Sequence, residues 1–392
     1  MDASHFSKDS PGRLVPAFDG SSAFVPNPLP RELSLSVATW RRVVAAERSV
    51  GALQGALGGL AHEQVHPTLL LGALLRREAI VSSRIEGTLS SARQLALFDA
   101  GQEGEVGSPS EVESAREVSN YVRALEFGRA EMQRLRLGSR MIRSLHERLM
   151  DGVRGGDETP GQFRRVQNFI GSPGQSLKAA RFVPPPASEI EPCIADLERA
   201  MHEPESTATL PLFARLALLH YQFECIHPFR DGNGRVGRLL IPLTLRLHRP
   251  DCPLVLVSEQ LEPQRERYYD LLLDVSRRGA WTEWIDFFLE ALERSAADHQ
   301  RRALELLRLR ERWRSQLSTA RSSAALLRVV DELFQRPTVT RQQVAQLLDI
   351  SPPGASKIVQ RLVAAGLLVE ATGRQRGQVF VAPELLELGS GD

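Results

Sequence analysis

Twelve consecutive residues constrain this chain more than any other stretch: His227-Pro-Phe-Arg-Asp-Gly-Asn-Gly-Arg-Val-Gly-Arg238. Apolar helical sequence flanks the run on both sides, so it reads as a tight polar loop held between two helices. Polar density of this kind is costly to bury unless a ligand satisfies it. The fold must therefore be a helical framework that presents this loop. His227 is the only group in the run that titrates near neutral pH, which makes it the candidate general base. Asp231 offers one hard oxygen ligand, and Mg²⁺ at nucleotide sites takes one or two carboxylates plus phosphate oxygens and water. Gly232, Asn233 and Gly234 sit where the next helix begins, where backbone N–H groups and the helix N-terminus favour an anion. Asn233 also adds a side-chain donor. Arg235 and Arg238, three apart, project from the first helical turn and suit phosphate oxygens. Phe229 alternates with these polar residues as the anchor of the loop in the core.

The run fits H-x-F-x-[D/E]-G-N-G-R-x-x-R at every defined position, and on those residues the chain resembles Fic-domain proteins. The resemblance implies nucleotidyl transfer: AMP moves from ATP to a Ser, Thr or Tyr hydroxyl of a target protein, and pyrophosphate leaves. It also implies the roles. His227 would deprotonate the hydroxyl, and Asp231 would hold Mg²⁺. The Gly232–Gly234 backbone with Asn233 would form the anion hole, and Arg235 with Arg238 would bind the β- and γ-phosphates. Doc-type kinases of the same superfamily carry Lys where this chain has Gly234, so Gly234 favours AMP transfer.

Ser82-Ser-Arg-Ile-Glu86-Gly87 fits the inhibitory pattern [S/T]-x-x-x-E-[G/N] of the same family. Leu69, Leu70, Leu74, Leu75, Ile80 and Val81 before it predict an amphipathic helix over 67–86, with Gly87 as its stop. In the resembling proteins the glutamate pairs with the second motif arginine, here Arg238, in competition with the γ-phosphate. Between the two motifs, Val166–Gly171 and Ala180–Val183 flank the turn Ser172-Pro-Gly-Gln and predict a hairpin. The resemblance makes this a flap, carried by Phe169, Ile170, Phe182 and Val183, that would hold the target segment as an added strand.

Further helices are expected near 34–57, 90–99, 138–150, 187–203, 207–225, 263–278 and 282–317. A loop is expected over Gly101–Pro109, followed by a capping-box start at Ser110/Glu113. Residues 1–33, with Pro11, Pro16, Pro26, Pro28 and Pro30, read as extended and partly disordered. Tyr268, Tyr269, Trp281, Trp284, Phe287 and Phe288 read mainly as core.

Ala324–Phe334, a helix capped by Thr340/Gln343, a third helix from Ser351-Pro352 to Gly366, and two short strands resemble a winged helix-turn-helix domain. That resemblance implies DNA contact through Ser356, Lys357, Gln360 and Arg361 on the third helix and Arg374 and Arg376 on the wing. Local net charge over 351–378 is only +3, so a protein-interaction or dimer-spacing role stands beside DNA binding. The fold class that results is mainly α: a Fic-type helical bundle with a small β-hairpin flap, then a winged helix-turn-helix domain. The expected divisions are an extended segment 1–33, an N-terminal helical region 34–110, a catalytic core 111–292, a linking helix 293–320 and the winged domain 321–388.

Composition narrows the setting. In 392 residues, 49 basic against 48 acidic side chains give a net charge of +1, which offers no global argument for nucleic acid or membrane. Cys193, Cys225 and Cys252 are odd in number and widely spaced, which suits buried thiols in a reducing, cytoplasmic setting rather than disulfides. No apolar run suggests a membrane span. The expected participants are ATP as substrate, Mg²⁺, a hydroxyl-bearing target protein, DNA through the C-terminal part, and a second copy of the chain. Three other functions remain open: a DNA-binding regulator whose core senses nucleotide, removal of AMP with Glu86 orienting a water, and transfer from UTP or CDP-choline.

Overall fold

The computed structural model describes residues 1–17, 20–62, 68–153, 159–171, 176–317 and 324–390. A hairpin of β1 (Gly12–Pro16) and β2 (Ser22–Pro26) leads into helices α1 (Val37–His62), α2 (Thr68–Ile85), α3 (Ala92–Asp99), α4 (Glu103–Val106) and α5 (Pro109–Glu131). Next come α6 (Ser139–Leu149), α7 (Ala187–Met201), α8 (Leu212–Ile226), α9 (Asn233–His248), α10 (Ser258–Leu261), α11 (Arg265–Arg278) and the long α12 (Trp281–Leu317). The chain ends with α13 (Ala324–Gln335), β3 (Thr338–Thr340), α14 (Arg341–Leu348), α15 (Pro352–Ala364), β4 (Val369–Glu370), β5 (Val379–Val381) and α16 (Pro383–Ser390). These elements form two units, one of residues 1–52 and 123–297, the other of 53–122 and 298–392.

In the first unit the core is aromatic: Trp284, Tyr268, Phe213, Phe223, Phe229 and Phe288 are buried. Trp284 spends its one donor on the Ala217 carbonyl at 2.8 Å, as a buried indole must. The three cysteines are free and buried, and burial raises each thiol. Within the segment 1–33, expected to be extended or partly disordered, the chain forms paired strands. Gly12 pairs with Pro26 and Pro16 with Ser22 in an antiparallel hairpin, and Ala23, Phe24 and Val25 are buried. Pro11, Pro16 and Pro26 stand at strand ends, where a missing N–H costs little.

In the second unit, α13, α14 and α15 pack with a three-stranded sheet of order β3-β5-β4 around Trp313, Leu326, Phe334, Val359, Leu362 and Phe380. The capping box expected at Thr340 is present: the Thr340 hydroxyl accepts from Gln343 N at 3.1 Å, and Gln343 Oε1 accepts from Thr340 N at 2.8 Å. Ser351 caps α15 ahead of Pro352. The core of this segment is shared with the N-terminal helices. Leu57 and Ala73 join it, α2 packs on α13 and α16, and Arg76 donates to the Gln335 carbonyl at 2.6 Å. Two boundaries shift. The expected loop over 101–109 contains α4, and the box that opens α5 is Ser108/Glu111, with the Ser108 N–H on Glu111 Oε2 at 2.7 Å. Ser110/Glu113 has the same spacing two residues later, so the pattern fits both positions and does not choose between them.

Helix α2 stops where Gly87 lets it. Gly87 has φ +94°, the Thr88 N–H reaches the Ser83 carbonyl at 3.0 Å, and the Gly87 N–H reaches the Arg84 carbonyl at 3.0 Å. This is a Schellman ending with Glu86 as the last cap. Ser82, Leu74, Leu75, Ile80 and Val81 are buried, whereas the side chains of Leu69 and Leu70 lie outside the described ones.

Candidate active site

Helices α8 and α9 deliver the polar run. Helix α8 ends at His227, whose φ of 48° and ψ of 59° place a non-glycine residue in the left-handed region. That conformation costs about 1–2 kcal/mol and persists only where neighbours enforce it. Arg164, a residue that its own sequence context does not single out, bonds the carbonyl of this residue. Its side chain is buried, with Nε on the His227 carbonyl at 2.9 Å and Nη2 on Pro185 O at 2.6 Å and Ile226 O at 3.4 Å. Nη1 donates to Val166 O at 3.1 Å, and the Arg164 N–H donates to the Pro228 carbonyl at 2.9 Å. Burial lowers this guanidinium to about 10. It is bound by carbonyl oxygens, with no carboxylate among these partners.

His146 holds the other end of the loop. Its ring stacks on Phe229 with centroids 3.7 Å apart and planes within 1°. Nδ1 accepts the Gly161 N–H at 2.9 Å, so Nε2 carries the proton and donates to the Asp231 carbonyl at 3.1 Å. Burial lowers this imidazole to about 4, so it stays neutral. The signal was present in the sequence: His146 shares the apolar face of α6 with Ile142, Leu145 and Leu149. A second buried imidazole, His220, bonds Tyr268 at 2.8 Å and is pushed down to about 3, chiefly by burial.

Asn233 ties the loop to itself. Its Oδ1 accepts the Phe229 N–H at 2.8 Å and its Nδ2 donates to the Phe229 carbonyl at 2.9 Å. Both polar ends of the side chain thus help to close the loop. Gly232, at φ +74°, turns the chain into α9, and a Cβ there would stand 3.2 Å from Met150 Sδ. The N-cap of α9 is Gly232, which has no side chain to bond the N–H groups of the first turn. Arg235 is buried on that turn and Arg238 on the next, at 3% and 1% exposure. Asp231 is its solvent-facing member: the side chain is 65% exposed, Oδ1 accepts the Gly232 N–H at 2.7 Å, and Oδ2 lies 3.6 Å from Arg235. No cluster of three metal-ligating side chains occurs among the described residues. An open single carboxylate fits Mg²⁺ completed by phosphate and water, not a protein cage.

The expected flap strands meet at one point, where Ile170 and Phe182 exchange both backbone bonds at 2.8 and 3.2 Å. The turn Ser172–Gln175 lies outside the described residues. Phe182 and Val183, however, are buried, and the Val183 carbonyl already accepts the Phe24 N–H of β2 at 2.9 Å. The strand that faces outward is the one bearing Phe169 and Ile170. Asn168 ties that strand to the loop, with Nδ2 3.1 Å from the Arg230 carbonyl.

Ser82, Glu86 and Gly87 belong to the other unit, as do the C-terminal basic residues. Lys357, Gln360 and Arg361 are exposed on α15, and Arg376 is exposed on the β4–β5 connection. Arg374, also exposed, is ion-paired to Glu105 at 2.9 Å and bonded to Gln102 at 2.9 Å. No described helix is long and apolar enough to cross a membrane.

Residues 136–245 match the Fic/DOC family, and residues 40–130 match the Fic/DOC family N-terminal region. The proteins named protein adenylyltransferase Fic from Drosophila erecta and Drosophila melanogaster are each 28% identical over 188 residues, 47% of this chain. The match covers 34% of each of those proteins, so the chain spans about a third of their length. A solved Fic family protein from Desulfovibrio desulfuricans superposes with a TM-score of 0.55 at 22% identity, covering 89% of this chain and 97% of that one. It shares the mainly helical fold.

Proposed function

Because this chain carries a Fic/DOC family domain, we propose that it is a protein adenylyltransferase, moving AMP from ATP to a Ser, Thr or Tyr hydroxyl of a target protein. The observation that carries the reading is the closed loop itself. A histidine in a strained left-handed conformation ends α8, and five residues later α9 opens on a glycine N-cap with two buried arginines. The N–H groups of this first turn and Arg235 and Arg238 bind the triphosphate. His227 takes the proton of the target hydroxyl; the hydroxyl oxygen bonds to the α-phosphorus, and the bond to the pyrophosphate oxygen breaks. Asp231 is the residue that would hold Mg²⁺, which when bound offsets charge on the phosphates. The outer strand of the flap, at Phe169 and Ile170, is the edge on which a target segment would pair.

Glu86 supplies regulation in this reading, its carboxylate competing with the γ-phosphate for the Arg238 guanidinium. The Schellman ending at Gly87 supports it, because the glycine fixes where the glutamate leaves α2. The test is label transfer to protein in wild type, Glu86→Gly and Glu86→Gly/His227→Ala. Label should rise with the first substitution and vanish with the second; label that persists without His227 removes the base.

The C-terminal segment fits a winged helix-turn-helix by element order, and the exposed Lys357, Gln360 and Arg361 on α15 favour DNA as its partner. In that role Lys357→Ala and Arg361→Ala should weaken binding to duplex DNA and reduce its salt dependence, by about one unit of slope for each phosphate that is no longer neutralised. Arg374→Ala should do less, since Glu105 already holds that charge.

A further inference from the structure

We infer that Arg164 is a positioning residue for the reaction, which sets the orientation of the His227 base and registers the flap against it. The inference rests on the general-base reading of His227. Its ground is the fan of bonds from one buried side chain to four carbonyls on three segments: Ile226 and His227 at the end of α8, Val166 at the start of the outer flap strand, and Pro185 after the inner one.

A guanidinium is the one side chain suited to this. It has five N–H donors in a planar fork and stays charged after partial desolvation. Hydrogen bonds from a charged donor are also about twice as strong as neutral ones. Here the donors converge on the carbonyl of the strained residue itself. His227 is the residue whose peptide must turn to reach the left-handed region, and the Arg164 Nε bond to its oxygen holds that turn. If the bond is lost, the backbone can relax toward ordinary φ values, and the imidazole swings with it.

The same fan gives the base and the flap a common reference. Residues 164–166 continue directly into the strand that bears Ile170, and Pro185 follows Val183 on its partner. A target hydroxyl presented on that strand therefore meets a histidine tied to the same arginine. The phosphate-binding groups stand apart from this arrangement. Gly232, Arg235 and Arg238 are placed by α9, and Asp231 by His146. Loss of Arg164 should then impair the chemical step and target use while leaving nucleotide binding in place.

The test compares Arg164→Ala and Arg164→Lys with their parent in the full-length Glu86→Gly chain. It reads kcat, KM for the target, and ATP affinity measured independently by calorimetry. A base misplaced by about 1 Å costs roughly 10²-fold. The expected result is a kcat lower by that order for Arg164→Ala, with ATP affinity unchanged within about twofold. Arg164→Lys can donate to the His227 carbonyl but cannot span the fan, so it should recover part of kcat and keep a raised KM for the target. If Arg164→Ala does not fold, Arg164→Lys alone carries the test. A readout independent of turnover is the imidazole resonance of His227 in histidine-labelled protein, assigned by its absence in His227→Ala; it should move in the Arg164 variants. An unchanged kcat, or ATP affinity falling in step with kcat, or an unmoved resonance would overturn the inference. A parent that transfers no label would instead count against the transferase reading, and the resonance would still judge Arg164.

Discussion

Asn233→Ala separates two roles that the sequence alone could not tell apart. If Asn233 contributes a donor to bound phosphate, the substitution should weaken ATP and leave the fold untouched. In the structure its side chain accepts the Phe229 N–H at 2.8 Å and donates to the Phe229 carbonyl at 2.9 Å, and both residues are buried. Alanine strands that N–H completely. The carbonyl keeps only a long bond from Asn168 at 3.4 Å. A buried donor left without a partner costs about 1–3 kcal/mol, and weakening of the carbonyl adds a part of the same, for a total of about 3 kcal/mol. For a unit of this size each kcal/mol moves the midpoint by roughly 2–4 °C, so thermal unfolding should shift down by about 6–12 °C. Asn233→Asp keeps the acceptor for the Phe229 N–H but sets a buried carboxylate oxygen against the Phe229 carbonyl, so its shift should be at least as large as that of Asn233→Ala. Unfolding followed by circular dichroism, alongside ATP affinity, decides the matter. A midpoint within about 2 °C of wild type, together with a large loss of ATP affinity, would refute the reasoning and return Asn233 to the ligand.

Other expectations follow from the same geometry. Gly87→Val places a β-branched residue at φ +94°, so the end of α2 should fray, at a cost of about 1–2 kcal/mol; label transfer should rise even though Glu86 is present. His220 is held at about 3 in the folded protein against an ordinary 6.5. The unfolded chain therefore takes up the proton first as pH falls, so stability is full above about 6.5 and declines toward the folded value, by about 1.4 kcal/mol per pH unit. His220→Gln should flatten that slope in urea titrations between pH 6 and 4, whatever its baseline. Asp231→Ala should lower transfer and abolish its dependence on Mg²⁺ concentration while the midpoint of unfolding stays near wild type, since its carboxylate is mostly exposed.

The run from His227 to Arg238 was legible because its chemistry is contiguous: base, acid, glycines and arginines lie within a dozen positions of one another. The ends of α2, α14 and α15 were legible for a related reason, since Gly87, Thr340/Gln343 and Ser351 act on neighbours a few residues away. What escaped depends on partners far along the chain. Nothing local marks Arg164, whose acceptors at 185, 226 and 227 are backbone oxygens and carry no residue signature. His146 is legible only as a histidine on an apolar face; its bond to the Asp231 carbonyl is 85 positions away. Asn233 is ambiguous in sequence for a different reason, because loop closure and anion binding ask for the same amide. The hairpin of residues 12–26 was hidden by its prolines, and its β2 covers the flap strand that pattern alone had left open. The packing of α2 on α13 and α16 joins segments more than two hundred residues apart, beyond any periodicity argument.

The central claim, that this loop transfers AMP, is tested most directly by incubating the Glu86→Gly protein with Mg²⁺ and ATP labelled at either the α- or the γ-phosphate. The account predicts protein-bound label from α-labelled ATP alone, with labelled pyrophosphate released from the γ-labelled nucleotide. Label retained from the γ-phosphate would make the enzyme a kinase, and no retained label from either would contradict the claim.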